Sequence, residues 1–202
     1  MPRQNRVTPF GEVVATPEWG TIFGNRGVLH DPGGRIRRPW RLKRWLLCVL
    51  EFKDRRRQVM TAGRYTELFF LDEATGLAAG HRPCAECRRA RYLAFRNAWP
   101  SGVLPATALD DSLHAERLNP DGSQRTFAAN VDDLPDGVLV TRRQPAVGAY
   151  LLWKGRLLAW SPGGYRERLP RPWGERVVVL TPRSTVEVVR AGYVPAVHAS
   201  AA

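Results

Sequence analysis

Cysteine and lysine are both scarce in this chain of 202 residues, which has three of each. An odd number of cysteines, two of them three positions apart, argues against a disulfide framework and for a reducing cytoplasm as the location. No apolar run is long enough to span a bilayer, since the strongest, Trp45 to Leu50, has the length of a strand. The first residues also lack the apolar stretch of a secretory signal, so we expect no association with a membrane.

Acidic residues are outnumbered, because 31 lysines and arginines face 19 aspartates and glutamates, for a net charge of +12. A positive field attracts polyanions, among which nucleic acid comes before an anionic membrane surface, so nucleic acid is the expected partner. Arginine supplies nearly all of the positive charges. An excess of arginine over lysine is also typical of proteins from GC-rich genomes. A merely basic surface therefore stays open as the alternative.

The hydrophobic content of 44% is that of a globular protein with a proper core. The pattern predicts an α+β fold in two portions, with a β-rich part at residues 1–118 and a small β meander with a closing helix at 119–202. The two portions either fold separately or share one core. Periodicity and capping signals predict four helices, over residues 73–79, about 86–99, 108–118 and 184–190. The apolar run from Trp45 to Phe52 is predicted to be a buried strand.

The stretch FFLDEATGLAAGHRPCAECRR, residues 69–89, contains a Cys-x-x-Cys pair formed by Cys84 and Cys87. A redox pair is expected directly after a strand, whereas here a segment with Gly80 and Pro83 precedes the cysteines. A zinc site needs two thiolates on a tight turn, where backbone N–H groups support the sulfur atoms. Zinc, a metal-free turn of the same shape and a redox pair all remain open at this point.

A tetrahedral zinc site would need two ligands in addition to this pair. The candidates are Cys48, which lies in the predicted strand, and the histidines His30, His81 and His114. We expect Cys48 and His81 to join Cys84 and Cys87 if a zinc ion is bound. A buried cysteine that serves only packing is the alternative for Cys48.

Residues 69–89 resemble the second half of the Ada-type metal-binding domain, which accepts methyl groups from DNA phosphotriesters. The residues that fit its pattern are Phe70, Glu73, Ala74, Ala79, Gly80, Arg82, Pro83, Cys84 and Cys87. His81 stands where that family usually has an aromatic residue. The resemblance implies a zinc-binding turn in a protein that handles DNA.

The resemblance covers about twenty residues and stops short of the family's repair chemistry. That family carries a second cysteine pair about thirty residues upstream, and one member of this pair accepts the methyl group. The corresponding stretch here, residues 54–60, contains no cysteine. Only Cys84 and Cys87 are carried over from the resemblance, and methyl transfer is not expected.

Basic residues mixed with aromatic residues form the expected nucleic-acid interface. Guanidinium groups bind phosphates with two hydrogen bonds, and tryptophan can stack on bases. The candidates are Arg37, Arg38, Trp40, Arg41, Lys43, Arg44, Arg55, Arg56, Arg57, Arg88 and Arg89. The alternative is that Trp40 and Trp45 lie in the core and the arginines only solvate loops.

Together these features predict a cytoplasmic nucleic-acid-binding or DNA-maintenance accessory protein with an Ada-like turn, which either holds zinc or is free of metal. The sequence leaves open whether the protein is an enzyme and favours a non-enzymatic role. One alternative is a metal-dependent nuclease or repair enzyme that uses Glu67, Asp72, Glu73 and His81. Another is a protein-interaction module, for which the sequence names no partner.

Overall fold

The computed structural model describes residues 1–53, 58–142 and 148–202. Within these ranges the chain forms two six-stranded sheets and four α-helices, which confirms the predicted α+β class. No helix of this part of the chain combines the length and the apolar character that a membrane span requires.

The first sheet is built from the N-terminal half of the chain. Its strands are β1 Gln4–Val7, β2 Val13–Ala15, β3 Ile22–Asn25, β4 Leu46–Cys48, β5 Leu68–Phe70 and β6 Arg82–Pro83. They lie in the order β2-β1-β5-β3-β4-β6. The pairs β1–β5 and β4–β6 are parallel, and the other neighbours are antiparallel.

The two faces of this sheet differ, because side chains alternate between them along each strand. Leu47, Leu68 and Phe70 on one face are fully buried and pack into the core. Phe23 and Phe69 on the other face are only half-buried. The second face is therefore open to a cavity, which is described below.

The predicted strand from Trp45 to Phe52 is shorter in the structure, where β4 ends at Cys48. Leu50 keeps 53% of its surface exposed, so the chain leaves the sheet before the apolar run is over. Apolar character alone therefore overestimated the length of this strand.

The helices are α1 Glu73–Ala78, α2 Arg89–Asn97, α3 Ala106–Arg117 and α4 Arg183–Arg190. The Asp72 side chain caps α1 by accepting a hydrogen bond from the Thr75 N–H, as the sequence predicts. Gly80 follows with φ +79°, the left-handed conformation that ends many helices. Helix α2 begins three residues later than predicted, because residues 85–88 form a turn beside the cysteine pair.

The second sheet is built from the C-terminal half. Its strands are β7 Phe127–Asn130, β8 Leu139–Arg142, β9 Tyr150–Trp153, β10 Arg156–Ser161, β11 Gly164–Pro170 and β12 Arg176–Val179. The order β11-β10-β9-β8-β12-β7 contains the predicted meander, with β12 returning beside β8. Short 3-10 helices occupy Val131–Asp133 and Ala199–Ala201.

Helix α1 lies between the two halves of the molecule, and all six of its residues are buried. Ala74 and Ala78 pack in one apolar cluster with residues of the second sheet, among them Leu139 and Leu151. The indole N–H of Trp160 in β10 donates a hydrogen bond to Thr75, over 3.0 Å. Apolar packing and hydrogen bonds thus cross the predicted boundary at residues 118 and 119.

Candidate metal centre

The three cysteines of the chain lie together. Their Sγ atoms are all within 4.8 Å of one another, and none of the three cysteines forms a disulfide. Cys48 and Cys84 are buried, whereas Cys87 is half-buried. Three cysteine side chains in this arrangement could hold a metal ion.

Pairing of β4 with β6 brings these residues together from distant parts of the chain. The two short strands are parallel, with Leu47 opposite Pro83. The Cys84 N–H donates to the Leu47 carbonyl over 2.8 Å, which closes the pair at its end. Cys48 and Cys84 each directly follow the last pair of the β4–β6 ladder, and they therefore lie side by side.

A tight turn then returns the chain so that Cys87 faces the other two thiols. The Glu86 N–H donates to the Cys84 sulfur over 3.4 Å, and the Arg88 N–H donates to the Cys84 carbonyl over 3.2 Å. Backbone N–H groups directed at a sulfur stabilise a thiolate and orient it toward a metal. This is the turn that the Cys-x-x-Cys spacing predicts.

Hydrogen bonds within the cluster favour the protonated form of Cys48. Its thiol donates to Cys84, which raises the pKa of Cys48 far above its ordinary value, and burial adds to this shift. The same hydrogen bond is the main cause that lowers the pKa of Cys84 to about 5. A second hydrogen bond, between Cys48 and Cys87, is the main cause that lowers the pKa of Cys87. The hydrogen bonds thus favour the thiolate form of Cys84 and Cys87 and the thiol form of Cys48.

This set of donors suits zinc. Soft thiolates select Zn²⁺ over hard cations such as Mg²⁺ and Ca²⁺. With Zn–S bonds of about 2.3 Å, sulfurs in a tetrahedral site lie about 3.8 Å apart. The three sulfurs lie within 4.8 Å of one another, which is near this spacing.

His81 does not join the cysteines, although the sequence marked it as the fourth ligand. It is fully buried, and its Nε2 accepts a hydrogen bond from the Arg26 side chain over 3.2 Å. The rings of Trp45 and Phe70 lie 5.1 and 4.7 Å from it, centroid to centroid. His81 thus packs in the core, in the place where the Ada-type pattern has an aromatic ring.

The other two candidate histidines are also engaged away from the cysteines. His30 contacts the Thr66 hydroxyl through Nδ1 over 2.6 Å. His114 contacts the Arg117 side chain over 2.9 Å and lies edge-on to the Trp40 ring. Among the cysteine, histidine and acidic residues that the structure describes, three cysteines and no fourth side chain form the group.

The three cysteines line one side of a cavity of about 380 Å³ on the open face of the first sheet. Strand register places Cys48 and Phe69 on either side of Phe23, in one row across three strands. The next row contains Leu46 and Asn25, and Glu67 directly precedes β5. The rest of the lining comes from Val49, Leu50, Phe52, Val59, Tyr65 and Glu86.

Aromatic rings dominate the cavity beyond the thiols. The Phe23 ring is 6.0 Å from the ring of Tyr65 and 6.0 Å from the ring of Phe69, between centroids. Glu67 is buried to 6% exposure, and its carboxylate accepts a hydrogen bond from the Met60 N–H over 2.7 Å. The cavity thus has thiols at one end, rings in the middle and a carboxylate at the other end.

The acidic residues next to Glu67 in sequence have structural roles. Asp72 caps α1 and accepts a hydrogen bond from the Tyr165 hydroxyl over 2.8 Å. Burial is the main cause that raises the pKa of Asp72. Glu73 is fully buried and pairs with Arg88 and Arg91. These two carboxylates are therefore not arranged around a metal, as the nuclease alternative would require.

The expected nucleic-acid residues are spread over several places. Arg37, Arg38 and Arg41 line one cleft of about 340 Å³ together with His30. Arg37 also pairs with Asp31 over 2.7 Å. Lys43 pairs with Asp111 over 2.8 Å at the surface, and Arg44 and Arg89 are exposed.

The remaining candidates of that set have other surroundings. Trp40 is half-buried beside His114, and Arg88 keeps only 10% of its side chain exposed while it pairs with Glu73 over 2.9 Å. Arg55, Arg56 and Arg57 lie outside the described residues.

Trp45 is buried between the guanidinium groups of Arg26 and Arg117, at 4.0 and 3.9 Å from its ring. The core alternative thus holds for Trp45.

The sequence analysis did not predict the aromatic side chains that line the cavity, Phe23 and Phe69. Phe23, Asn25 and Phe69 belong to strands of three or four residues, too short for a clear alternation of apolar and polar positions. Their common face depends on the register of β3 with β4 and β5. The only local signal is the aromatic pair Phe69–Phe70, whose two rings point to opposite faces of the sheet.

Comparison with known proteins gives no relative from which a role could be transferred. No protein-family model, no curated protein and no solved structure matches this chain. The likeness of residues 69–89 to the Ada-type domain therefore stays a prediction, while the candidate metal centre formed by the three cysteines is present in the structure.

Proposed function

We propose that this chain is a zinc-binding protein in which Cys48, Cys84 and Cys87 supply three ligands and the cavity supplies the fourth position. The observation that carries the proposal is the group of three thiols within 4.8 Å, assembled from segments 36 positions apart. Structural zinc sites usually have four protein ligands, whereas sites that bind or transform a ligand have three. The three cysteines and the adjoining cavity favour the second type.

Bound zinc would supply a Lewis-acidic position that takes water or a small ligand. The chain's own residues would exclude bulk water with the aromatic rings and orient the sulfurs through backbone N–H groups. The turn of residues 84–88 agrees with the Ada-like resemblance, which also implies thiolate zinc ligands at Cys84 and Cys87.

Cobalt substitution tests this proposal, because Co²⁺ reports the number and type of its ligands in its absorption spectrum. Chelator-treated protein is titrated with Co²⁺, and we expect thiolate-to-cobalt charge-transfer bands that saturate at one ion per chain. Cys48→Ser removes one of the three ligands and should lose most of these bands. His81→Gln is the control, and its spectrum should equal that of the wild type. A His81→Gln spectrum that loses the bands, or a Cys48→Ser spectrum that keeps them, would contradict the ligand set.

Nucleic-acid binding is the second candidate function, and the cleft lined by Arg37, Arg38 and Arg41 favours it. Three arginines line one concavity of about 340 Å³ together with Asp31, the partner of Arg37, and arginine binds phosphate through its fork of N–H donors. The net charge of +12 would add long-range attraction for a polyanion. Arg38 and Arg41 are both exposed, so a phosphate backbone can reach them.

Fluorescence anisotropy with labelled single-stranded and duplex DNA and RNA tests this candidate. We expect the logarithm of the affinity to fall linearly with the logarithm of the salt concentration. The double variant Arg38→Ala/Arg41→Ala should flatten this slope. Arg156→Ala/Arg166→Ala removes the same charge from exposed positions of the second sheet and should leave most of the slope intact. Equal effects of the two double variants would show that binding depends on the overall charge and not on the cleft.

A further inference from the structure

We propose that the cavity beside the three cysteines binds a single-ring aromatic molecule with a metal-binding group at one end and a cationic hydrogen-bond donor at the other. This inference rests on the proposed function, because the metal-binding group would occupy the fourth position of the zinc ion. It adds the chemical class of the ligand and the residues that select it.

The aromatic ring of the ligand is inferred from the aromatic side chains that line the cavity. Cys48, Phe23 and Phe69 lie in one row across the neighbouring strands β4, β3 and β5. Tyr65 stands beside Phe23 at 6.0 Å between ring centroids, a distance typical of interacting aromatic rings. A planar ring placed next to the thiols would therefore meet aromatic surface below and beside it.

The size of the ligand follows from the volume of the cavity. Ligand sites in proteins typically measure about 300 to 1,000 Å³. At about 380 Å³ this cavity lies near the lower limit, which suits one ring with short substituents. The cavity also has polar groups at both ends and an apolar middle, the usual composition of a small-molecule site.

The cationic donor at the far end of the ligand is inferred from Glu67. This residue directly precedes β5, so two strand spacings separate it from Cys48, or about 10 Å across the sheet. Its side chain lines the cavity although only 6% of the residue is exposed. Asn25 lines the same end and offers an amide. A buried carboxylate favours an ammonium or another hydrogen-bond donor.

The metal-binding end must displace water from a centre that already holds three thiolates. Such a centre with Zn²⁺ carries a net charge of −1, and an uncharged group or a singly charged anion can take its open position. Hydroxamates bind divalent metals as singly charged anions through two oxygens, which expands the coordination to five ligands, and they are available with and without a ring. They serve here as probes of the site.

The test uses the full chain loaded with Co²⁺ and three probes that share the same metal-binding group. Acetohydroxamate has no ring, benzohydroxamate has one, and 4-(aminomethyl)benzohydroxamate adds an ammonium at the far end. Binding is followed by the shift of the cobalt d–d bands while the thiolate-to-cobalt bands show that the metal stays in place. We expect benzohydroxamate to bind about tenfold or more tightly than acetohydroxamate, because its ring leaves water for apolar surface. The ammonium should add about another tenfold.

Variants test which residues cause these two gains in affinity. Phe69→Ala, and the milder Phe69→Leu, should reduce the advantage of the ring severalfold. Phe127→Ala on the second sheet is the matched control, since Phe127 is also a half-buried strand residue. Glu67→Gln keeps an acceptor for the Met60 N–H, and it should remove the gain from the ammonium while leaving the gain from the ring.

The outcomes separate this inference from the proposed function. If cobalt gives no thiolate bands, the metal centre itself is wrong. If the bands form but no hydroxamate shifts the spectrum at millimolar concentration, the metal centre stands and the ligand site is overturned. Equal affinities for acetohydroxamate and benzohydroxamate, or release of cobalt by benzohydroxamate, would also overturn the ligand site.

Discussion

At the scale of single residues, His81 shows how the surroundings decide the role of a side chain. A histidine three positions before a cysteine pair suits a metal ligand in sequence. In the structure it is enclosed by Trp45 and Phe70, and it accepts a hydrogen bond from Arg26, which is itself buried. Burial is the main cause that lowers the pKa of His81 well below its ordinary value, and the charges of Arg26 and Arg117 add to it. The imidazole is therefore neutral and serves as an acceptor.

This neutral state predicts a pH dependence of stability. Below its ordinary pKa of about 6.5, the imidazole takes up a proton in the unfolded chain but not in the folded one. The free energy of unfolding should therefore fall by about 1.4 kcal/mol per pH unit as the pH drops below 6.5, as far as His81 contributes. Urea denaturation between pH 7.5 and 5 measures the slope, and His81→Gln should make it shallower by about that amount. An unchanged slope would show that His81 titrates alike in both states.

At the scale of elements, Glu73 at the start of α1 joins three parts of the chain. Its carboxylate pairs with Arg88 and Arg91 and accepts hydrogen bonds from the Tyr193 hydroxyl, over 2.6 Å, and from the Ala196 N–H, over 2.8 Å. Arg88 and Arg91 lie at the beginning of α2, directly after the cysteine turn. The network thus fixes α2 and the C-terminal segment against α1.

Removal of this charge should destabilise the fold. Glu73→Gln leaves the two arginines without their counter-charge, and breaking a buried ion pair in this way costs about 3 kcal/mol or more. The matched control is Glu187→Gln, which breaks the exposed pair between Glu187 and Arg190 within α4 and should cost about 0.5 kcal/mol or less. Chemical denaturation of both variants gives the comparison. Similar losses in the two variants would argue against a central role for Glu73.

Local signals at this scale could be predicted from the sequence, and pairings between distant strands could not. The cap at Asp72, the left-handed Gly80 and the turn at Cys84 each depend on a few neighbouring residues. Cys48 could be predicted only as one of several candidates, because its position depends on the parallel pairing of β4 with β6. The row of Phe23 and Phe69 depends on register between segments more than forty residues apart. A short strand carries no local pattern that would fix this register.

At the scale of the whole molecule, a metal at the three cysteines would link β4 to the turn before α2. Ligands that bind only the folded state stabilise it by mass action. Zinc at 100 times its dissociation constant should therefore raise the free energy of unfolding by about 2.7 kcal/mol. Thermal denaturation with zinc and with chelator measures the change, and Cys48→Ser should show a much smaller one. A zinc effect of the same size in Cys48→Ser would place the metal elsewhere.

Metal binding should also weaken at low pH. Cys48 keeps its proton in the free protein, because hydrogen bonding to Cys84 raises its pKa. Zinc must displace that proton, so the apparent affinity should rise with pH and binding should release at least about one proton per zinc ion. Calorimetric titration in buffers of different ionisation enthalpy measures the release. Binding without proton release would contradict the protonation state assigned to Cys48.

The central claim is tested most directly by native mass spectrometry of the protein purified without chelator and without a nickel column. The account predicts one zinc ion on each wild-type chain and one on each His81→Gln chain, and a loss of zinc from Cys48→Ser and from Cys84→Ser/Cys87→Ser. Wild-type protein without zinc, which also fails to take up added zinc at neutral pH, would contradict the account. The three cysteines would then be a cluster of packed thiols, and the arginine cleft would be the remaining candidate site.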